Sequence, residues 1–197
     1  MKKIFTLIAA VCLSVVATAQ TLNVVVGQVT YQVPAAQAGD MIYTSGTSVT
    51  IMNKVLAISD IDNMYIDNTA VTDNSVSVVY NGTTASVYVA GNIMQYVDPT
   101  VNGAKVTILQ NPAVTDEYTY TLSGSSTVGS FYMDGDTKMT LRLNGLTLTN
   151  PDSAAVNIRD GKRIAVVVAD GTTNTLTDVA SPTVSSVSST QSFTASK

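Results

Sequence analysis

The chain has 197 residues with 10 basic and 14 acidic side chains, a formal charge of −4, no histidine, no tryptophan and one cysteine. That balance excludes a phosphate-reading nucleic-acid binder, which needs clustered Lys and Arg. Without histidine, and with the one cysteine in a leader, there is no imidazole base, no thiol nucleophile and no ordinary zinc or copper site.

The leader is MKKIFTLIAAVCLSVVATA, residues 1–19. Lys2 and Lys3 precede an apolar run from Ile4 to Val16, and Ala17-Thr18-Ala19 precedes Gln20. This order marks a secretory signal peptide, and the apolar run is too short to span a bilayer as a helix. The expectation is an exported protein in the periplasm, at the cell surface or outside the cell. Cys12 leaves with the leader, and no later stretch predicts a membrane span.

From Gln20 onward the chain is dominated by Thr, Val, Ser, Ala and Asn, which suit pleated surfaces better than helices. Residues 20–112 predict an antiparallel β-rich accessory domain. Short alternating runs are expected as strands: Leu22 to Val26, Val29 to Val33, Met41 to Tyr43, Val49 to Met52, Val55 to Ile58, Met64 to Ile66, Val76 to Tyr80, Ala85 to Val89, Ile93 to Val97 and Ala104 to Leu109. Asn81-Gly82 is the strongest hairpin signal, because both residues accept positive φ. Ser45-Gly46, Gly91-Asn92 and Asn102-Gly103 are weaker ones. Ser59 is expected to cap one helical turn reaching Asp62.

Residues 113–178 read differently. Met139-Thr140-Leu141-Arg142-Leu143 lies over Ile164-Ala165-Val166-Val167-Val168 at an offset of 25, and Leu148-Thr149-Asn150 over Leu176-Thr177-Asp178 at 28. A period of about 25 belongs to β-solenoids, whose coils bury their apolar faces only on stacking. Residues 179–197, rich in Ser and Thr, predict a disordered tail.

Carboxylates carry what chemistry there is. Asp134-Gly135 and Asp160-Gly161 recur at an offset of 26, which predicts that Asp134 and Asp160 stack on adjacent coils about 4.8 Å apart. With Asp136 they suit calcium, which takes oxygen ligands; beside glycine they also suit plain turns. Arg159, Lys162 and Arg163 form a basic cluster fit either for uronic-acid carboxylates or for a solvated turn. Tyr132 is a candidate sugar-stacking face, with Tyr65, Tyr88, Tyr96, Tyr118, Tyr120 and Phe131 as further candidates or core fillers.

The stretch Tyr120 to Asp178, above all LRLNGLTLTNPDSAAVNI and VVVADGTTNTLTD, resembles the opening coils of secreted bacterial carbohydrate-binding domain-containing proteins. The resemblance implies a right-handed parallel β-helix shaped like polysaccharide lyases, associated with cellulose-like or acidic polysaccharides and with calcium. It also implies further coils, so the chain is expected to be cut short after the first ones. The fold class expected is all-β: an N-terminal antiparallel β-rich region followed by the first coils of that helix. The function expected is non-catalytic polysaccharide binding, with Asp134, Asp136 and Asp160 as metal ligands and Arg159, Lys162, Arg163 and Tyr132 on the glycan. The alternative is a cell-surface structural or adhesion module that self-associates through an exposed coil end. An eliminative lyase drawing on Arg142, Arg159 or Arg163 is the remaining reading.

N-terminal sequencing of the protein recovered outside the cytoplasm should begin at Gln20. A mature chain that begins at Met1 would remove the leader from this account.

Overall fold

The alternating runs become seventeen strands in the computed structural model, which describes residues 20–39, 41–111, 116–179 and the pair 191–192. The leader with Cys12 and most of the tail lie outside the described residues, as do residues 112–115 at the expected domain boundary. The fold is all-β, with mixed parallel and antiparallel sheets.

The first strands are β1 (Thr21–Val26), β2 (Val29–Pro34), β3 (Ile42–Thr44), β4 (Ser48–Ile51), β5 (Lys54–Ala57), β6 (Asn63–Asp67), β7 (Ser75–Asn81), β8 (Thr84–Ala90), β9 (Val97–Asn102) and β10 (Lys105–Gln110). The rest are β11 (Tyr118–Ser126), β12 (Ser130–Gly135), β13 (Met139–Thr149), β14 (Val156–Asp160), β15 (Ile164–Val168), β16 (Thr175–Thr177) and β17 (Gln191–Ser192). The first sheet has the order β15-β13-β11-β7-β8-β2-β1-β6, with β16 also on β13. A second sheet runs β17-β14-β12-β10-β9, and β3-β4-β5 form a small third sheet.

From β10 onward the chain visits the two larger sheets in turn. Strands β10, β12 and β14 stack parallel in the second sheet, while β11, β13 and then β15 and β16 stack parallel in the first. The register sets Lys105 beside Ser130, Phe131 beside Val156 and Met139 beside Ile164, so the predicted offset of 25 is the observed one. Leu148 pairs with Leu176 at the expected 28. Between the sheets the inward residues form one core, with Val78, Leu122 and Leu143 from the first and Ile108, Met133 and Ile158 from the second. Tyr120 meets Phe131 across it at 6.3 Å between ring centroids, tilted by 57°.

The N-terminal strands depart from the antiparallel expectation. β2 and β8 pair in parallel, and β7 receives β11 in parallel. The hairpins β7–β8 and β9–β10 therefore supply the edges on which the coils stack, and both sheets continue past residue 112. A first coil cannot bury its inward face alone, so it needs such a base.

Turn positions shift by a residue from the sequence reading. Asn81 pairs with Thr84, so the loop is Gly82-Thr83, and of these Gly82 has the positive φ, 64°. Gly91–Ile93 is a short 3-10 turn instead of a hairpin, and β9 begins only at Val97. The turn expected at Ser59 is a 3-10 turn over Ile58–Asp60 without a side-chain cap. Residues 191–192 of the tail are strand, paired antiparallel with β14.

Gly124 sits where β11 slips register against β13, with φ of 82° and in register with Tyr80 of β7 on its other side. A side chain there would overlap the Tyr80 carbonyl. Gly124→Ala should cost about 2–4 kcal/mol in chemical denaturation, through strain and overpacking together. The hydroxyls of two buried tyrosines differ. Tyr80 Oη donates to the Ser130 carbonyl at 3.0 Å, whereas Tyr120 Oη is buried without a partner. Tyr80→Phe should cost about 1 kcal/mol, while Tyr120→Phe should be neutral or stabilising.

Candidate functional site

The second sheet carries two kinds of side chain by strand alternation. Val106, Ile108, Phe131, Met133, Val156 and Ile158 point inward and are buried. Lys105, Thr107 and Leu109 on β10, Ser130, Tyr132 and Asp134 on β12, and Asn157 and Arg159 on β14 therefore line the outer face. The register places them in rows: Thr100, Thr107, Tyr132 and Asn157 in one, and Asp98, Leu109, Asp134 and Arg159 in the next.

Three of the predicted residues meet on this face. Tyr132 Oη donates to Asp134 Oδ2 at 3.2 Å, and Arg159 Nη1 lies 3.4 Å from the same oxygen and 3.5 Å from Tyr132 Oη. These are loose contacts, and the Arg159 and Asp134 side chains stay 49% and 43% exposed, open to a ligand. The Tyr132 hydrogen bond, and after it the Asp134 charge, push the guanidinium above its ordinary value. Asn157, beside Tyr132, has its Oδ1 buried without a hydrogen-bond partner.

The other predicted residues go elsewhere. Lys162 stands 3.6 Å from Asp136, and Arg163 donates to Glu117 at 2.6 Å at the start of the first sheet. The basic cluster of the sequence thus divides into three ion pairs, and only Arg159 joins Tyr132. Arg142 is exposed on β13 of the first sheet, away from Arg159 on the second. Among the aromatic candidates, Tyr118, Tyr120 and Phe131 are buried core, so they offer no stacking surface.

The expected pairing of Asp134 with Asp160 is corrected by the register. Asp134 lies beside Arg159, and Asp160 lies beside Gly135. A shift of one residue turns a side chain to the opposite face of a sheet, so Asp160 points inward while Asp134 points out. Asp160 accepts the Lys162 backbone N–H at 2.7 Å, and its other oxygen is buried without a partner. Among the described residues, no group of three or more acidic, His or Cys side chains is arranged to hold a metal. Asp134 and Asp136 are ion-paired with Arg159 and Lys162, and Asp160 points to the face opposite Asp134.

Thr107, Leu109 and Asn157 of the outer face were missed from sequence. Extending the offset of 25 back from Ser130–Asp134 to Lys105–Leu109, and forward from Tyr132 to Asn157, would have found them. A separate cleft of about 270 Å³ lies among Gln37, Met52, Asn53, Asn92 and Gln95, near the third sheet. Asn92 there is already engaged with Asn74, its amide donating at 2.7 Å.

Residues 102–195 match the model of a family described as carbohydrate-binding domain-containing protein. That segment is similar to a carbohydrate-binding domain. It is just under half of the chain, takes in β10 to β17 with Tyr132, Asp134 and Arg159, and leaves the cleft outside. No curated protein and no solved structure matches the chain.

Burial, and after it the Asp136 charge, raise the Asp160 carboxyl above its ordinary value of 3.8, with the Lys162 N–H opposing. A folded value above the unfolded one means that the contribution is full below about pH 4 and is lost as pH rises through the folded value. The parent should therefore lose stability relative to Asp160→Asn as pH rises from about 4 toward neutrality, read from urea midpoints. A constant difference as pH rises would contradict the assignment.

Proposed function

We propose that the protein is an exported, non-catalytic polysaccharide-binding protein whose contact surface is the outer face of the second sheet. The observation that carries this reading is the meeting of Tyr132, Asp134 and Arg159 on adjacent strands inside the segment similar to a carbohydrate-binding domain. A tyrosine ring offers a pyranose its apolar face at low entropic cost. The planar arginine fork takes a uronate carboxylate in paired hydrogen bonds. Asp134 keeps the guanidinium aimed across the face until that carboxylate arrives. An acidic polysaccharide is the ligand class that uses both groups.

The parallel ladders are, on this proposal, coils of a right-handed parallel β-helix. Support comes from the repeated offset of 25, the alternation between two sheets and the strong general preference for right-handed crossovers. A stiff stack with rungs about 4.8 Å apart presents a repeating surface to a repeating polymer.

Affinity electrophoresis through gels with polygalacturonate, a soluble cellulose derivative or no glycan, with calcium and with chelator, tests the reading. Retardation is expected in polygalacturonate. Tyr132→Ala and Arg159→Ala should each weaken it about 5- to 30-fold in Kd, the scale of a 1–2 kcal/mol contact. Unchanged mobility of folded protein in every gel would sink the polysaccharide reading.

A further inference from the structure

The two sheets differ beyond β14 and β13. Among the described residues, β17 lies along β14 in the second sheet, whereas in the first sheet β15 and β16 pair with β13 alone. Strand β15 reads Ile-Ala-Val-Val-Val and contains no charge, proline or glycine, the devices that normally blunt an open edge. Its inward residues stand in register with Met139, Leu141 and Leu143, each at most 1% exposed, yet Val166 and Val168 are 38% and 51% exposed. Val167 on the other side is 42% exposed.

The backbone parity of this edge is determined by its hydrogen bonds to β13. Met139 N–H donates to the Arg163 carbonyl at 3.1 Å, and Ala169 N–H donates to the Leu143 carbonyl at 2.9 Å. Alternation along a parallel ladder then commits residues 163, 165, 167 and 169 to β13. Residues 164, 166 and 168 turn their N–H and C=O groups outward.

We propose that this edge pairs with the same edge of a second copy, antiparallel about a two-fold axis at Val166. In that register Val166 faces Val166 and Ile164 faces Val168, and all of these residues have outward backbone groups. Each is then a hydrogen-bonded pair of an antiparallel ladder. The same register sets Lys162 of one copy opposite Asp170 of the other, twice by symmetry. Both side chains belong to exposed residues at the two ends of the strand. A register displaced by one residue along the strand loses both the backbone match and the charge match. The interface is isologous and closed, so it gives a dimer and not a filament.

Sedimentation equilibrium of the purified protein over a range of concentrations tests this, independently of any glycan. A monomer–dimer equilibrium is expected. Val166→Lys sets two ammonium groups face to face on the axis and should raise the dimer dissociation constant at least about tenfold. Val166 is already partly exposed, so the monomer should keep its circular dichroism. Lys162→Asp and Asp170→Lys should each weaken the dimer, and the two together should restore it, because the pair is rebuilt with its signs exchanged. Lys162→Asp also removes the contact with Asp136, which the double change does not rebuild, so recovery reports the contact between copies. A monomer at every concentration, a dimer indifferent to Val166→Lys, or a double exchange that fails to recover would each overturn the proposal.

Discussion

Each coil strand of this protein buries its inward side chains only by lying in register on the strand before it. Met139, Leu141 and Leu143 are closed from solvent because β11 flanks them on one side and β15 on the other. Ile164, Val166 and Val168 repeat the same positions one coil later, with no further strand beyond them among the described residues, and they stay partly open. The difference is the price of a missing neighbour, and it makes stacking the constraint on which core, turns and faces all depend. The hydrophobic term scales with the area removed from water, so one uncovered rung leaves a large share of that term unused.

The N-terminal strands make sense under that constraint. β7 and β10 stand at the inner ends of two hairpins and offer edges to β11 and β12, which no coil of the chain could otherwise provide. The far edge of β7 continues into β8, β2, β1 and β6, through antiparallel pairs and the parallel pair β2–β8, and the far edge of β10 continues into β9. Tyr80 ties the base to the first turn by its bond to Ser130. Among the described residues, the side-chain polar atoms buried without partners belong to Gln110, Tyr120, Thr137, Asn157 and Asp160, on the strands or turns of these stacked rungs. Gln110, Gly135 and Asp160 form one column in register, and Gly135 leaves the room that the Gln110 amide occupies. A polar interior of this kind is the sort of place that bound water satisfies.

Function and stacking are coupled through parity. The same alternation that turns Met133 and Ile158 into the core turns Tyr132, Asp134 and Arg159 outward, on strands held at fixed spacing. The trio is therefore placed by rigid backbone, while the Arg159 and Asp134 side chains remain about half exposed and able to exchange partners. Asp160, one residue on from Arg159, is drawn inward by the same rule and is lost to the outer surface.

Much of this was legible in the residues alone. Valine-threonine alternation with Gly turns determined an all-β chain, and the offset of 25 determined which strands lie side by side. Those signals are local or periodic, and they survive because a strand must alternate and a coil must repeat. Tyr132 and Arg159 were likewise named as candidates from residue type. Only the tertiary structure decided the partners. It set Asp134 against Arg159 and not Asp160, because Asp-Gly landmarks locate a turn to within a residue and one residue reverses the face. It sent Lys162 to Asp136 and Arg163 to Glu117, since ion pairs form across strands whose closeness no short stretch records. It also joined residues 20–112 to the coils through β7 and β10, because an uncovered sheet edge takes whichever strand the whole fold brings beside it.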